Sequence, residues 1–203
     1  MVKSRRKDED GYYRMAKKLG YRSRAAFKLL QLDERYSLIK KGDVVVDLGA
    51  APGGWMQVAA EKVGSAGFVL GVDVQPIEKF PEPNVVTLIA DITKENTAAE
   101  ILKILPRRAD VVLSDVSPKI TGVWSIDHSR SIELTRASLD IAEKILAPGG
   151  NILMKVFQGD LLQDFLAEVK EKFTFFKASK PRASRKESAE VYLIGKGFIS
   201  TNN

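Results

Sequence analysis

The stretch Asp43-Val-Val-Val-Asp47-Leu-Gly49-Ala-Ala-Pro52-Gly53-Gly54-Trp55 decides the fold. Val44 to Val46 is a β-branched run without polar alternation, the pattern of a strand buried on both faces of a parallel sheet. Asp47 follows it. Gly49, Gly53 and Gly54 then make a tight turn whose missing side chains let backbone approach a ligand. Met56 to Val63 reads as a helix. Ligands of open α/β sheets bind outside the carboxyl ends of the strands, most often at the first strand-to-helix turn. The glycine spacing is G-x-x-x-G-G, not the dinucleotide fingerprint G-x-G-x-x-G, and Pro52 removes a backbone donor that a pyrophosphate would use. The turn therefore suits a cofactor without phosphates. A purely structural corner is the competing reading. Asp47 speaks against it, because a carboxylate buried at a strand end is costly unless something pairs with it.

The chain has 203 residues, enough for one α/β domain with a full core and short for two. Residues 1–203 are read as a single domain with a basic N-terminal extension at about 1–22. The sequence has no cysteine, which excludes disulfides, iron–sulfur clusters and thiolate zinc sites. His128 is its one histidine and receives no role, so no metal is expected. No segment has the length of a membrane span and no apolar leader is visible, so the cytoplasm is the expected compartment.

The net charge of +6 is unevenly spread. Residues 1–41 hold 13 basic and 5 acidic side chains, and residues 170–186 hold 7 and 1. The centre, 42–169, is left at −7. Two basic ends suit a polyanion, with nucleic acid the obvious candidate, and an acidic centre suits a small cationic ligand. Single charge runs are usually no more than solvated faces. These two gain weight if the fold brings them together.

Arg5 and Arg6 stand in a segment where basic residues alternate with Tyr12 and Tyr13, a composition that can meet both phosphates and unstacked bases. A disordered solubilising tail is the plainer reading. Ser23 is a suitable N-cap for a helix to about Tyr36, and Arg22, Arg24 and Lys28 lie at its start, where the dipole and free amides favour a phosphate, so Arg22 and Arg24 are read as RNA contacts. Spacing alone makes Lys28 an ordinary surface lysine. Further strands are expected over Phe68–Val72, Val85–Ala90, Ala109–Ser114 and Asn151–Phe157. The first three lead into Asp73, Asp91 and Asp115, so with Asp47 four aspartates close four strands in one acidic rim. Asp73 is placed to accept hydrogen bonds from a ribose diol, which makes the ligand a nucleoside. Asp127 or Ser129 caps a helix to about Leu146. Lys155 is anomalous inside Asn-Ile-Leu-Met-Lys-Val-Phe, since lysine is rarely buried unpaired. It either snorkels to an edge or reaches into a site with carboxylate partners. Phe173–Ala178 and Val191–Gly197 close the sheet as an antiparallel pair. The loop between them carries Lys180, Arg182 and Arg185 as RNA contacts, and Glu190 follows it.

Taken together, Arg22-Ser-Arg-Ala-Ala-Phe-Lys28-Leu, Asp47-Leu-Gly-Ala-Ala-Pro-Gly-Gly-Trp55, Ser114-Asp-Val-Ser-Pro, Met154-Lys-Val-Phe-Gln-Gly and Ser184-Arg-Lys-Glu-Ser-Ala-Glu-Val-Tyr resemble the FtsJ/RrmJ family of ribose 2′-O-methyltransferases. The resemblance spans nearly the whole chain, and five motifs in this order are highly specific. Lys119 departs from it, since bacterial members tend to carry Asn after the proline.

That resemblance implies a Rossmann-like class I methyltransferase fold. Its sheet would be mostly parallel and seven-stranded, with one antiparallel strand and helices on both faces. It implies S-adenosyl-L-methionine as cofactor, with Gly53, Trp55, Asp73, Asp91 and Asp115 as contacts. Asp47 and Gly49 join them on the reading of the turn. It implies a catalytic tetrad of Lys28, Asp115, Lys155 and Glu190. It further implies a uridine of large-subunit 23S ribosomal RNA as target, with that RNA expected to be met within the large ribosomal subunit. The protein is expected to be a monomer. Lys155 would either take the attacking hydroxyl's proton or orient that hydroxyl and stabilise oxyanion charge. Three alternatives stand beside this reading. One is methylation of tRNA or another RNA, one a non-catalytic RNA-binding or ribosome-assembly protein, and one a nicotinamide-dependent dehydrogenase, against which the glycine spacing speaks.

Overall fold

A computed structural model describes residues 7–200. Seven strands form one sheet in the order β3-β2-β1-β4-β5-β7-β6. They are β1 (Val44–Leu48), β2 (Phe68–Asp73), β3 (Val85–Ile89), β4 (Ala109–Ser114), β5 (Leu146–Phe157), β6 (Phe173–Ser179) and β7 (Glu190–Phe198). Strands β1 to β5 pair in parallel, and β7 runs antiparallel to both β5 and β6. This is the expected Rossmann-like arrangement with one reversed strand. The order turns back at β1 and β4, the switch point beside which open sheets bind their ligands.

Among the described residues there are six helices: α1 (Lys7–Leu19), α2 (Ala26–Tyr36), α3 (Gly54–Val63), α4 (Thr97–Ile104), α5 (Trp124–Ile145) and α6 (Leu162–Glu171). Alternation along the strands divides the core in two. Val46, Val112, Ile152 and Met154 pack under α4, α5 and α6, and Val45, Val111 and Leu153 pack under α2 and α3. Each such side chain contributes about 1.5–3 kcal/mol on burial. Gly71 fixes how closely α3 approaches, because a Cβ there would collide with the thioether of Met56. Among the described residues no helix is long and apolar enough to cross a membrane.

Three local expectations change. Residues 7–19 form a helix rather than a loose tail. Ala16 is buried, Tyr12 packs on Phe27 at 5.4 Å and its hydroxyl accepts a hydrogen bond from Gln31, which docks α1 on α2. Ser23 does not cap α2. Its carbonyl accepts from Ala26 in a tight turn that precedes the helix, and its hydroxyl lies against Gly54. Finally α5 begins before Asp127 and Ser129, at Trp124. Asp127 instead reaches back, and its carboxylate accepts from Thr121 N and Oγ1 at 2.8 Å and from Gly122 N at 3.1 Å.

Candidate active site

Sheet register assembles the site. Lys155 lies opposite Tyr192 and Phe157 opposite Glu190 on the β5–β7 ladder, so one face of that ladder presents a lysine, a tyrosine and a carboxylate at neighbouring steps. Lys155 is 4% exposed and its ammonium does not snorkel. Nζ donates to the Asp115 carbonyl at 2.8 Å and lies 3.2 Å from Asp115 Oδ1 and 3.9 Å from Glu190 Oε1. Thr135 Oγ1 donates to the Lys155 carbonyl and fixes the strand from the α5 side. Lys28, read from spacing as a surface residue, is 8% exposed, and its Nζ meets Glu190 Oε2 at 2.9 Å. The tetrad inferred from scattered motifs is therefore one continuous chain, Lys28–Glu190–Lys155–Asp115. Two positive and two negative charges alternate along it, which is what makes the burial of the two lysines tolerable.

The aspartates form a staircase rather than the level rim that was expected. Register extended past the strand ends sets Asp73 and Asp115 level with Gly49, Asp47 two steps deeper and Asp91 two steps higher. Asp73 Oδ2 accepts from Ala51 N and Oδ1 from Gln75 N, which locks the glycine turn to the end of β2. Asp91 Oδ1 accepts from Thr93 N and Oγ1, and these bonds hold its carboxyl below the usual carboxylate range. Asp47 is 1% exposed, and neither of its carboxylate oxygens has a partner. Burial, reinforced by the charges of Asp115 and Asp73, pushes its carboxyl well above the usual range. A buried acceptor pair beside the switch point fits a ligand that brings N–H donors or positive charge.

The glycine turn is braced from beneath. Gly49 and Gly53 have φ of 73° and 106°, and a Cβ on Gly53 would strike Arg22 and Phe80. Trp55 is buried; its indole donates to Ala25 O at 2.8 Å and its ring lies 5.9 Å from that of Tyr192. It thus joins the turn to α2 and to the tetrad.

The basic segments meet, as the charge argument required. Arg24 donates to Ala183 O, Ala183 N donates to Gln31 Oε1, and Lys28 reaches Glu190 from the same helix. Their individual contacts differ. Arg22 spends its guanidinium on the carbonyls of Pro52, Glu78 and Lys79 and stacks on Phe80 at 3.9 Å, so it is a clamp on the glycine turn. Lys180 Nζ donates to Lys186 O and Ser188 O and shapes its own loop. Arg182 and Arg185 stand exposed on that loop. Arg5 and Arg6 lie outside the described residues.

Two features escaped the sequence reading. Tyr192 OH donates to Asp115 Oδ1 at 2.9 Å, and alternation from Glu190 along β7 would have placed it on the same face. Trp124 opens α5 and lines, with Phe157 and Glu190, a cleft of about 420 Å³. An apolar aromatic after a Gly122 turn was its only sequence signal.

A seven-stranded Rossmann-like sheet with two buried lysines paired to carboxylates on its carboxyl rim defines the class: a group-transfer enzyme of the methyltransferase type. The chain belongs to the FtsJ-like methyltransferase family, whose model matches residues 21–198. It is 53% identical over 195 residues to a ribosomal RNA large subunit methyltransferase E of Methanothrix thermoacetophila, covering 96% of this chain and 75% of that protein. It is 52% identical over 192 residues to the protein of the same name from Methanocaldococcus jannaschii, covering 93% and 78%. A crystal structure of a ribosomal RNA methyltransferase from Plasmodium falciparum superposes with a TM-score of 0.78 at 30% identity, over 89% of this chain and all of that one.

Proposed function

We propose that this chain methylates a ribose 2′-hydroxyl of large-subunit ribosomal RNA, at a uridine, with S-adenosyl-L-methionine as donor. Family membership makes it a methyltransferase, and relatives more than 50% identical carry the ribosomal RNA large subunit name. The observation that carries the reading is the chain Lys28–Glu190–Lys155–Asp115, beside an Asp47 carboxylate without a partner. The protein is read as one domain, acting as a monomer on ribosomal subunits in the cytoplasm.

When bound, the cofactor supplies an electrophilic methyl on a positively charged sulfur. Asp47, Asp73, Asp91, Asp115 and the turn from Gly49 to Gly53 would hold it, with Trp55 bracing the turn. An ammonium has three donors. Asp115 takes up Lys155 through its carbonyl and Oδ1, and the remaining hydrogen orients the attacking oxygen and stabilises its developing charge. Glu190, held by Lys28, is placed to accept the hydroxyl proton as the new O–C bond forms. Burial and the carboxylates of Asp115 and Glu190 push the Tyr192 phenol well above the ordinary tyrosine range, so it serves as a fixed donor to Asp115. Holding oxygen and methyl in line supplies much of the rate.

The test is transfer of labelled methyl from S-adenosyl-L-methionine to unmodified large subunits, with small subunits and tRNA alongside, followed by mapping of the modified nucleotide. Label on a ribose 2′-oxygen of a large-subunit uridine is expected. Label on tRNA alone would keep the chemistry and overturn the substrate.

A further inference from the structure

The cleft beside the tetrad is built from surfaces of two kinds. Glu190 lines it on the tetrad side, and Trp124, Phe157 and Ile120 supply apolar lining. Trp124 remains 51% exposed although its ring lies nearly parallel to two others, His128 at 5.7 Å and 10° and Phe157 at 6.2 Å and 18°. An indole left open in water is unfavourable unless something covers it, and its exposed neighbours Ile120, Val123 and Ile126 extend the apolar lip.

The indole is also held in place. The Asp127 carboxylate accepts three bonds from Thr121 and Gly122, and Val123 N donates to Thr121 Oγ1, so the turn before Trp124 is fixed. Leu161 N donates to His128 Nε2, which anchors the ring on which the indole rests. A flat partner would thus stack without first ordering the loop.

We propose that Trp124 is the stacking platform for the base of the nucleotide whose ribose is methylated. The inference rests on the RNA methyltransferase reading above. Lys155 and Phe157 alternate to the same face of β5, about 6.6 Å apart along the strand, and Phe157 pairs with Glu190 in register. A nucleoside with its sugar at Lys155 and Glu190 therefore carries its base over Phe157 and Trp124. Such a base must leave its own stack, so the target is unpaired or flipped out when it reacts. Stacking accepts any base, so Trp124 supplies affinity and orientation, not base identity.

The test uses the full chain and unmodified large ribosomal subunits, with Trp124→Ala, Trp124→Leu and Trp124→Phe. Aromatic stacking predicts that Ala and Leu lower kcat/KM by roughly 5- to 150-fold while Phe stays within about threefold. S-adenosyl-L-methionine affinity and thermal midpoint should match wild type. Leu as active as wild type would overturn the proposal, since apolar bulk would then suffice. Loss of cofactor binding in all three variants would overturn it too, by making Trp124 structural. Failure of the wild type to methylate the subunits would sink the underlying reading, and is seen before any variant is assayed.

Discussion

Tyr192 and Asp115, 77 positions apart, are joined by a 2.9 Å hydrogen bond from the phenol to the same carboxylate oxygen that lies 3.2 Å from Lys155. Asp115 is thereby fixed from two directions. Tyr192→Phe removes one of them and keeps the ring packed on Trp55. A hydrogen bond to a charged group contributes about 1.5–3 kcal/mol, so kcat should fall roughly tenfold or more. Cofactor affinity, read by calorimetry, should stay within about twofold of wild type.

Lys155→Ala should abolish methylation. The ammonium is the group that faces the reacting oxygen, while the glycine turn and Asp47 are untouched. Cofactor binding should therefore persist, and its loss would mean that Lys155 belongs to the cofactor site. The substitution also takes the cation from Asp115, while Glu190 keeps Lys28 and Asp115 keeps the Tyr192 hydrogen bond, so the thermal midpoint should fall modestly as well.

Asp47 carries a pH signature. Its folded-state pKa is raised by burial and by Asp115 and Asp73. Its contribution to stability is therefore complete below the ordinary carboxylate range and is lost as pH rises through the raised folded value. Asp47→Asn should remove that fall and raise the ligand-free thermal midpoint near neutral pH. The same substitution should weaken S-adenosyl-L-methionine binding roughly tenfold or more, since a charged hydrogen-bond acceptor is lost. Wild-type affinity should rise with pH where Asp47 ionises. A flat affinity profile would show that the carboxylate does not face the cofactor.

Arg22 and Arg182 should separate in salt titrations. Arg182→Ala should reduce the slope of log affinity for RNA against log salt by about 1 and leave stability unchanged. Arg22→Ala should leave the slope unchanged. It should lower the thermal midpoint and weaken cofactor binding, because the guanidinium bonds three carbonyls beneath the glycine turn.

Periodicity and spacing go far here because the sheet is parallel at its centre. Val44 to Val46 is legible as a doubly buried strand, and each aspartate after an apolar run marks a strand end. Lys155 is legible as a site residue because lysine is out of place in such a run. Lys28 is not, because its burial comes from Glu190, 162 positions away. The carbonyl partners of Arg22 are not legible for a related reason. A guanidinium bonds backbone carbonyls as readily as phosphates, and no sequence pattern distinguishes the two. Trp124 was passed over because its exposure is a tertiary property.

Lys28 and Gln31 sit three residues apart on α2 and bind Glu190 and Ala183 N respectively, and Arg24, in the turn just before the helix, binds Ala183 O. An α-helix turns by about 100° per residue. A single insertion or deletion between Lys28 and Gln31 would swing one group off the facing loop while the other stayed. Chain length can drift in the loop after α2, but between Lys28 and Gln31 the reading frame of the helix is locked to a segment about 150 residues downstream.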